Sequence, residues 1–243
     1  MAVGGRRIRP PGRCRGPTFG RPLIGQALGG AHDELSIPRG LRAVRTALGL
    51  KAHSGWAALV VLGTSGGELE IVDRRRIELV EEADALWAKQ PYHAAEGMNP
   101  DKAREVVKRG VEAARRLAVR EMQAAADRAR EAKHEIAACA VLVVEPMPDW
   151  SVDEILAVHF RMHKAEGVLF RDALARAVAA CGLKLVAIPE KQLTEHAERA
   201  LAIPAAALVK RVATLGRSAG PPWGKDQKDA ALAAMIALQG GPK

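Results

Sequence analysis

The chain has 243 residues, of which 48% are hydrophobic, and a net charge of +9 at pH 7. A chain of this length can bury a substantial core and has room for one large domain or two small ones, and we expect one. No uninterrupted apolar run is longer than that of residues 136–144, which is far shorter than the roughly 20 residues of a membrane-spanning helix. No apolar stretch follows the basic N-terminus as it does in a secretion signal, so we expect a cytoplasmic protein with no membrane partner. The three cysteines, Cys14, Cys139 and Cys181, are too few and too widely spaced to predict disulfides or a zinc site.

Most of the net charge lies in the first 45 residues. This segment has nine Arg against Asp33 and Glu34, which gives +7 and leaves the rest of the chain nearly neutral. Its Gly, Pro and Arg residues cannot bury enough surface to offset the entropy of ordering, so we expect residues 1–45 to form a disordered tail. Such a tail can bind phosphates through counterion release. The same composition would also follow from a GC-rich genome or from a start codon assigned too early.

The first predicted elements form a β-hairpin. An apolar run at residues 56–62 meets a Gly-rich turn at residues 63–67, and an extended segment at residues 68–80 follows. Charged residues around Asp73 interrupt the second segment. A strand that is bent or broken near Asp73 fits this pattern and gives two or three antiparallel strands.

A long helix and a buried strand come next. Pro100 opens an Ala-, Arg- and Glu-rich helix predicted for residues 100–133, since Pro in the first turn costs no hydrogen bond. The continuous apolar run at residues 136–144 is typical of a strand that is covered on both faces.

The remainder of the chain is mainly helical. Ser151 and Glu154 form a capping-box pattern, which predicts a helix that lasts to about Cys181. The other predicted elements are a strand at 183–188, helices at 192–201, 204–212 and 225–238, and a loop at 216–224. This order of elements predicts an α/β fold with a mixed sheet flanked by helices.

Three acidic residues are candidates for metal-dependent catalysis. Glu145 follows the predicted buried strand, at the end where α/β sheets form their ligand crevices. Asp226 and Asp229 lie one turn apart at the start of the last helix. Such carboxylates could hold two Mg²⁺ or Mn²⁺ ions about 4 Å apart for phosphodiester hydrolysis. The alternative is that they only cap a helix and a solvated strand end.

A five-residue sequence occurs twice in the chain. Residues 93–97 and 163–167 share four of five positions, and His159 precedes the second copy by one helical turn. A His and a Glu three residues apart lie on the same face of a helix, so each copy presents an imidazole beside a carboxylate. We predict that the copies approach each other and bind a metal or form an acid/base pair, unless the repeat is a coincidence. The four candidate catalytic residues are His93, Glu96, His163 and Glu166.

Basic residues form the third candidate site. Three consecutive arginines lie in the hairpin and four more basic residues lie near the C-terminus: Arg74, Arg75 and Arg76, then Lys210, Arg211, Arg217 and Lys225. Beside a metal crevice they could position the phosphates of a nucleic acid. The alternative is a solvated charged face. Aromatic residues make up only 3% of the chain, so a platform for base stacking is not expected.

Several of these segments together resemble the ribonuclease H-like superfamily, and within it the bacterial Holliday-junction resolvases. Residues 49–57 resemble their first strand, residues 143–145 the strand that ends in their catalytic Glu, and residues 185–189 the strand that ends in Pro before the next helix. Residues 209–227 resemble their Gly-rich segment leading to a helix. Alternatively, Asp226 and Asp229 resemble the Asp-rich opening of their final helix, and the two matches exclude each other.

The resemblance covers about residues 46–240 and implies a ribonuclease H-like mixed sheet flanked by helices, with residues 100–133 as a long helical insertion. It implies that Glu145, Asp226 and Asp229 bind Mg²⁺ or Mn²⁺ and that the protein binds or processes nucleic acid. One departure matters. The family's first strand carries an Asp that binds both metals, whereas Lys51 or His53 lies there in this chain, and an ammonium cannot be a metal ligand. We therefore expect a nuclease-like domain whose cleavage is weakened or lost.

Two other functions stay open on the sequence alone. One is a metal- or acid/base-dependent enzyme built on the two repeated segments, and the other is a noncatalytic module that binds a protein through the helix at 100–133. The residues that lie close together in the folded protein distinguish the three functions. Glu145 beside Asp226 or Asp229 favours the nuclease-like protein, a meeting of the repeated segments favours the enzyme, and neither favours the module. Substrate and oligomeric state do not follow from the sequence.

Overall fold

The structure, a computed structural model, describes residues 44–240. The predicted tail lies outside this range except for its last two residues, and Arg45 is the first residue of a strand. The strands are β1 (Arg45–His53), β2 (Trp56–Ser65), β3 (Glu68–Glu78), β4 (Glu135–Val143) and β5 (Leu185–Pro189). The helices are α1 (Ala85–Ala88), α2 (Pro91–Ala94), α3 (Pro100–Glu131), α4 (Val152–Leu156), α5 (His159–Ala180), α6 (Leu193–Leu201), α7 (Ala205–Ala219) and α8 (Lys225–Leu238).

The five strands form one mixed sheet in the order β3-β2-β1-β4-β5. Strands β1, β2 and β3 are antiparallel neighbours, whereas β4 and β5 run parallel to β1. The carboxyl ends of β1, β4 and β5 therefore meet at one edge of the sheet. This arrangement is an α/β fold with a mixed sheet flanked by helices, as the order of elements predicts, and α3 is the long helix predicted for residues 100–133. No helix within residues 44–240 has the length and hydrophobicity to cross a membrane.

Helices cover both faces of the sheet. Helices α6, α7 and α8 pack on one face, and α3 and α5 pack on the other. Residues 138–142 of β4 are all fully buried, because consecutive side chains enter opposite cores. This confirms the prediction that the apolar run 136–144 is a strand covered on both faces.

Helix α8 approaches β1 unusually closely at Gly49. A Cβ atom on this glycine would lie 1.9 Å from the carbonyl oxygen of Ala230 and 2.7 Å from the backbone nitrogen of Ala234. Only a residue without a side chain fits between the strand and the helix backbone. The contact fixes the first turn of α8 over the carboxyl end of β1.

The structure corrects two predicted elements and decides between the alternatives for a third. The helix predicted from Ser151 to Cys181 is two helices, because Val158 has extended backbone angles and separates α4 from α5. The helix predicted to end at residue 212 continues to Ala219, since Gly216 leaves space for the Trp223 indole. The extended segment after the hairpin turn is one strand with a bulge at Val72, which agrees with the predicted bend near Asp73 and not with a break.

Candidate functional site

Alternate residues of β1 point toward the start of α8. Beyond Gly49, the residues on this face are Lys51 and His53, and their side chains contact Asp229 and Asp226 of α8. Side chains alternate across a strand, and the Gly49 contact brings α8 near enough for these pairs to form. One strand and one helix thus position four of the polar side chains of the site.

The Lys51 ammonium lies among three carboxylates. Its side chain is only 4% exposed, and its Nζ atom is 2.6 Å from Asp229 Oδ2, 3.1 Å from Glu190 Oε1 and 3.6 Å from Asp226 Oδ1. An ammonium has three N–H donors, so it can interact with all three groups from one position. The Lys51 ammonium therefore lies at the point where oxygens of the three carboxylates converge.

The pKa values of the central pair favour the charged forms. Burial alone would lower the pKa of Lys51, but hydrogen bonds to Asp229 and Glu190 and the negative charges of these residues raise it above its usual value. Burial alone would raise the pKa of Glu190, but hydrogen bonds from Arg171 and Lys51 lower it below its usual value. Both groups are therefore ionised at neutral pH.

Further side chains complete the network. Arg171 of α5 donates to Glu190 at 2.9 Å, and Lys225 donates to Asp229. His53 Nε2 lies 3.0 Å from Asp226 Oδ1, and its ring stacks on Trp56 with 4.5 Å between centroids. Each of the three carboxylates thus already has a cationic or imidazole partner within the protein.

The predicted metal ligands are only partly brought together. Asp226 and Asp229 both approach Lys51, and we call Lys51 and its three carboxylate neighbours the Lys51 cluster. Glu145, in contrast, is exposed and forms no hydrogen bond or ion pair with any residue in the range 44–240. The carboxylate at the cluster is instead Glu190, which directly follows β5. The sequence carried a signal for it, because Glu190 follows a predicted parallel strand just as Glu145 does.

The two copies of the repeated sequence meet in the structure. His93 Nδ1 lies 2.7 Å from Glu166 Oε2, and the His93 and His163 rings are 4.6 Å apart between centroids. His159 joins them, with its Nε2 atom 3.1 Å from that of His163 and its Nδ1 atom 3.8 Å from Glu96. The four predicted residues and His159 therefore form one histidine cluster at the contact of α2 and α5, and this is the arrangement that favours a metal- or acid/base-dependent site built on the repeated segments.

The hairpin arginines interact with other groups of the protein. Arg74 donates to the backbone carbonyl oxygens of the loop between α7 and α8. Arg75 pairs with Asp73, and Arg76 pairs with Glu78 and lies over the Trp56 ring. These guanidinium groups therefore have structural roles in the sheet.

The predicted basic residues of α7 are placed differently. Lys210, Arg211 and Arg217 are exposed and form no ion pair with a residue that the structure describes, whereas Lys225 pairs with Asp229. Arg217 also lines an open cleft between α7 and α8 together with Lys228, which sequence reasoning missed. We call Lys210, Arg211, Arg217 and Lys228 the basic face.

Comparison with known proteins yields similar structures only. No family model matches the chain, and no curated protein matches it. The chain is similar to the Thermus thermophilus RuvC structure at 15% identity and a TM-score of 0.39, over 80% of this chain and 92% of that chain. It is similar to T. thermophilus RuvC in complex with Holliday junction substrate at 13% identity and a TM-score of 0.41, over 82% and 98%. An Aquifex aeolicus member of the Ppx/GppA family gives 14% identity and a TM-score of 0.34, over 65% and 40%. Identities and TM-scores this low assign no function to the chain.

Proposed function

We propose that this protein is a ribonuclease H-like domain that binds nucleic acid without cleaving it by a two-metal mechanism. The observation that carries the proposal is the buried Lys51 ammonium, which contacts Asp229 and Glu190 and approaches Asp226. The basic face supplies the surface for binding.

An internal ammonium excludes the divalent ions that a two-metal nuclease needs. Mg²⁺ and Mn²⁺ require carboxylate oxygens that are free to coordinate, and Lys51 already contacts one oxygen of Asp229 and one of Glu190. A divalent ion at the same point would also be repelled by the adjacent positive charge. Moving the ammonium aside would leave a buried charge without its partners, which is costly. We therefore infer that the Lys51 ammonium takes the place of a divalent ion at this site.

The basic face fits a phosphate backbone better than it fits an acidic protein side chain. Helix α7 carries Lys210, Arg211 and Arg217 and no acidic residue, and the cleft beside it adds Lys228. The rest of the domain is nearly neutral, so we expect the electrostatic attraction of phosphates to be confined to this face. Spaced Lys and Arg side chains that contact phosphates position a protein on nucleic acid without reading its sequence.

A binding experiment tests the proposal. The full chain is titrated into fluorescently labelled linear and branched DNA and RNA at several salt concentrations, and anisotropy is measured. We expect binding at low salt that weakens steeply as salt rises. Reversal of charge in the combined variant Lys210→Glu, Arg211→Glu and Arg217→Glu should weaken binding at least about tenfold and reduce the salt dependence, since each phosphate contact contributes to it.

The matched control makes the same change of charge on the opposite face of the sheet. Lys102, Lys108 and Arg116 are exposed residues of α3, and their combined replacement by Glu should weaken binding much less. Equal weakening by both variants, or no binding by the unchanged protein at low salt, would contradict the proposed surface.

Cleavage is tested with the same substrates. In Mg²⁺ or Mn²⁺ we expect no cleavage above that of the Asp229→Asn variant. Metal-dependent cleavage that disappears in Asp229→Asn or Asp226→Asn would show that the carboxylates bind metal despite Lys51.

A further inference from the structure

We propose that His93, His159 and His163 form a zinc-binding site. One ring nitrogen from each of the three histidines lies within 4.8 Å of the other two. No other group of three His, Cys, Asp or Glu side chains within residues 44–240 has this arrangement. The site is separate from the Lys51 cluster and does not depend on the nucleic-acid proposal.

The spacing of the ring nitrogens suits a tetrahedral metal ion. Zinc binds imidazole nitrogen at about 2.0–2.1 Å, which places two tetrahedral ligands about 3.3 Å apart. The Nε2 atoms of His159 and His163 are 3.1 Å apart and therefore already match this spacing. His93 needs only a small side-chain movement to complete the set.

Glu166 holds His93 in the orientation that a ligand needs. Its side chain is buried, with the residue 6% exposed, and one carboxylate oxygen lies 2.7 Å from His93 Nδ1. The other oxygen accepts from the His93 backbone N–H at 3.1 Å. A carboxylate on Nδ1 leaves Nε2 free for the metal and makes it a stronger ligand, as in many zinc sites of proteins.

The backbone around the cluster explains how the three rings converge. The break at Val158 starts α5 at His159, so His159 and His163 lie one turn apart on the same side of that helix. His93 comes from α2 in the connection between β3 and α3, and it faces them across the α2–α5 contact. An ion here would tie this connection to α5.

The chemistry of the ligands favours zinc over the metals considered for the carboxylates. Imidazole nitrogen suits zinc and other late transition metals, whereas Mg²⁺ requires oxygen ligands. His159 and His163 are exposed, so the fourth position of the ion would face solvent. Three histidines with one open position form the ligand set of a catalytic type of zinc site, and Glu96 lies beside it, 3.8 Å from His159.

Metal binding to the full-length, untagged chain tests the site. The protein is treated with a chelator, and Zn²⁺ is then added in competition with a chromophoric chelator. We expect one tightly bound Zn²⁺ per chain and a rise in the melting temperature when it binds, since an ion that binds only the folded state stabilises it. Co²⁺ at the same site should give the intense visible absorption of a tetrahedral complex, and Mg²⁺ should not compete.

Variants assign the ion to these residues. Replacing both His159 and His163 by Ala should abolish the tight site while leaving the metal-free protein folded, because both side chains are exposed. Glu166→Gln should weaken Zn²⁺ binding by about 10- to 100-fold, as loss of such a hydrogen-bonded carboxylate usually does. His196→Ala is the matched control, since His196 lies on α6 at the opposite face of the sheet and should bind as the unchanged protein does.

Three results would overturn the inference. One is the absence of a tight Zn²⁺ site in the folded, chelator-treated protein. The other is a tight site that remains when His159 and His163 are both replaced, which would assign the ion to other residues. A Co²⁺ spectrum without tetrahedral bands would exclude the proposed geometry.

Discussion

At the scale of single residues, Lys51 decides the character of the carboxylate site. Its ammonium is 4% exposed and is surrounded by Asp226, Asp229 and Glu190. Because like charges repel, the three carboxylates would be unfavourable neighbours without a cation between them. The lysine supplies that cation permanently, and no exchangeable ion is required.

The first prediction follows from this arrangement. Lys51→Met should lower the free energy of unfolding at pH 7 by about 3–5 kcal/mol, the usual cost of removing one partner of a buried ion pair. Urea unfolding measures it. Adding Asp229→Asn should recover part of the loss, because one repelling charge is removed. A loss below about 1 kcal/mol would show that the carboxylates are solvated and do not need Lys51.

The second prediction concerns pH. The folded protein lowers the pKa of Glu190 below its ordinary value of 4.5, so ionised Glu190 contributes stability that is complete above that pH. The contribution is lost as the pH falls through the lowered pKa. Unfolding by urea should therefore show the unchanged protein more stable than Glu190→Gln at pH 7, with the difference shrinking toward pH 3. A difference that is constant over this range would contradict the assigned pKa direction.

The third prediction uses the closest backbone contact. Gly49→Ala places a Cβ atom against the backbone of α8, 1.9 Å from Ala230 O, so that strand and helix must separate. We expect a loss of about 1–3 kcal/mol or more in the free energy of unfolding, measured by urea titration. Gly66→Ala is a useful comparison, since an added Cβ meets nothing within 4 Å there and only its positive φ is unfavourable. An equal loss of stability in both variants would mean that the contact between Gly49 and α8 adds nothing to the cost of the substitution.

At the scale of elements, β4 is the strand that the sequence predicts best. Leu142 is fully buried in the core formed with α6, α7 and α8. Leu142→Ala should therefore cost about 2–5 kcal/mol, as cavity-forming substitutions do. Thermal or urea unfolding measures the loss. A nearly neutral effect would mean that the neighbouring helices can collapse into the cavity.

Other elements show where sequence patterns fail. The strand β1 contains Lys51 and His53 among apolar residues and was assigned only through its resemblance to a family. The break between α4 and α5 has no Gly or Pro to indicate it, although the backbone of Val158 is extended there. Local propensity is a weak guide wherever packing sets the backbone.

At the scale of the whole molecule, the order of the elements in the sequence predicts the mixed sheet flanked by helices. The residues that meet at each site can be predicted from the sequence only in part. The meeting of residues 93–97 with residues 163–167 was predictable because both carried the same pattern. The salt bridge from Lys51 to Glu190 was not, since its members are far apart in sequence and a lysine among apolar residues gives no sign of its partners. Long-range pairs depend on register and helix placement, which no local pattern contains.

Within residues 44–240, β3 lies at one edge of the sheet, and this position affects how copies of the protein meet one another. An exposed edge with free backbone N–H and C=O groups can accept a strand from another molecule and so begin aggregation. In β3 the paired charges of Asp73, Arg75, Arg76 and Glu78 lie along that edge, and an incoming strand would have to desolvate them. Replacing Arg75 and Arg76 by Val should therefore increase light scattering during heating, whereas replacing both by Lys should not. Equal scattering by the two variants would mean that the other edge, β5, or the unfolded chain nucleates association.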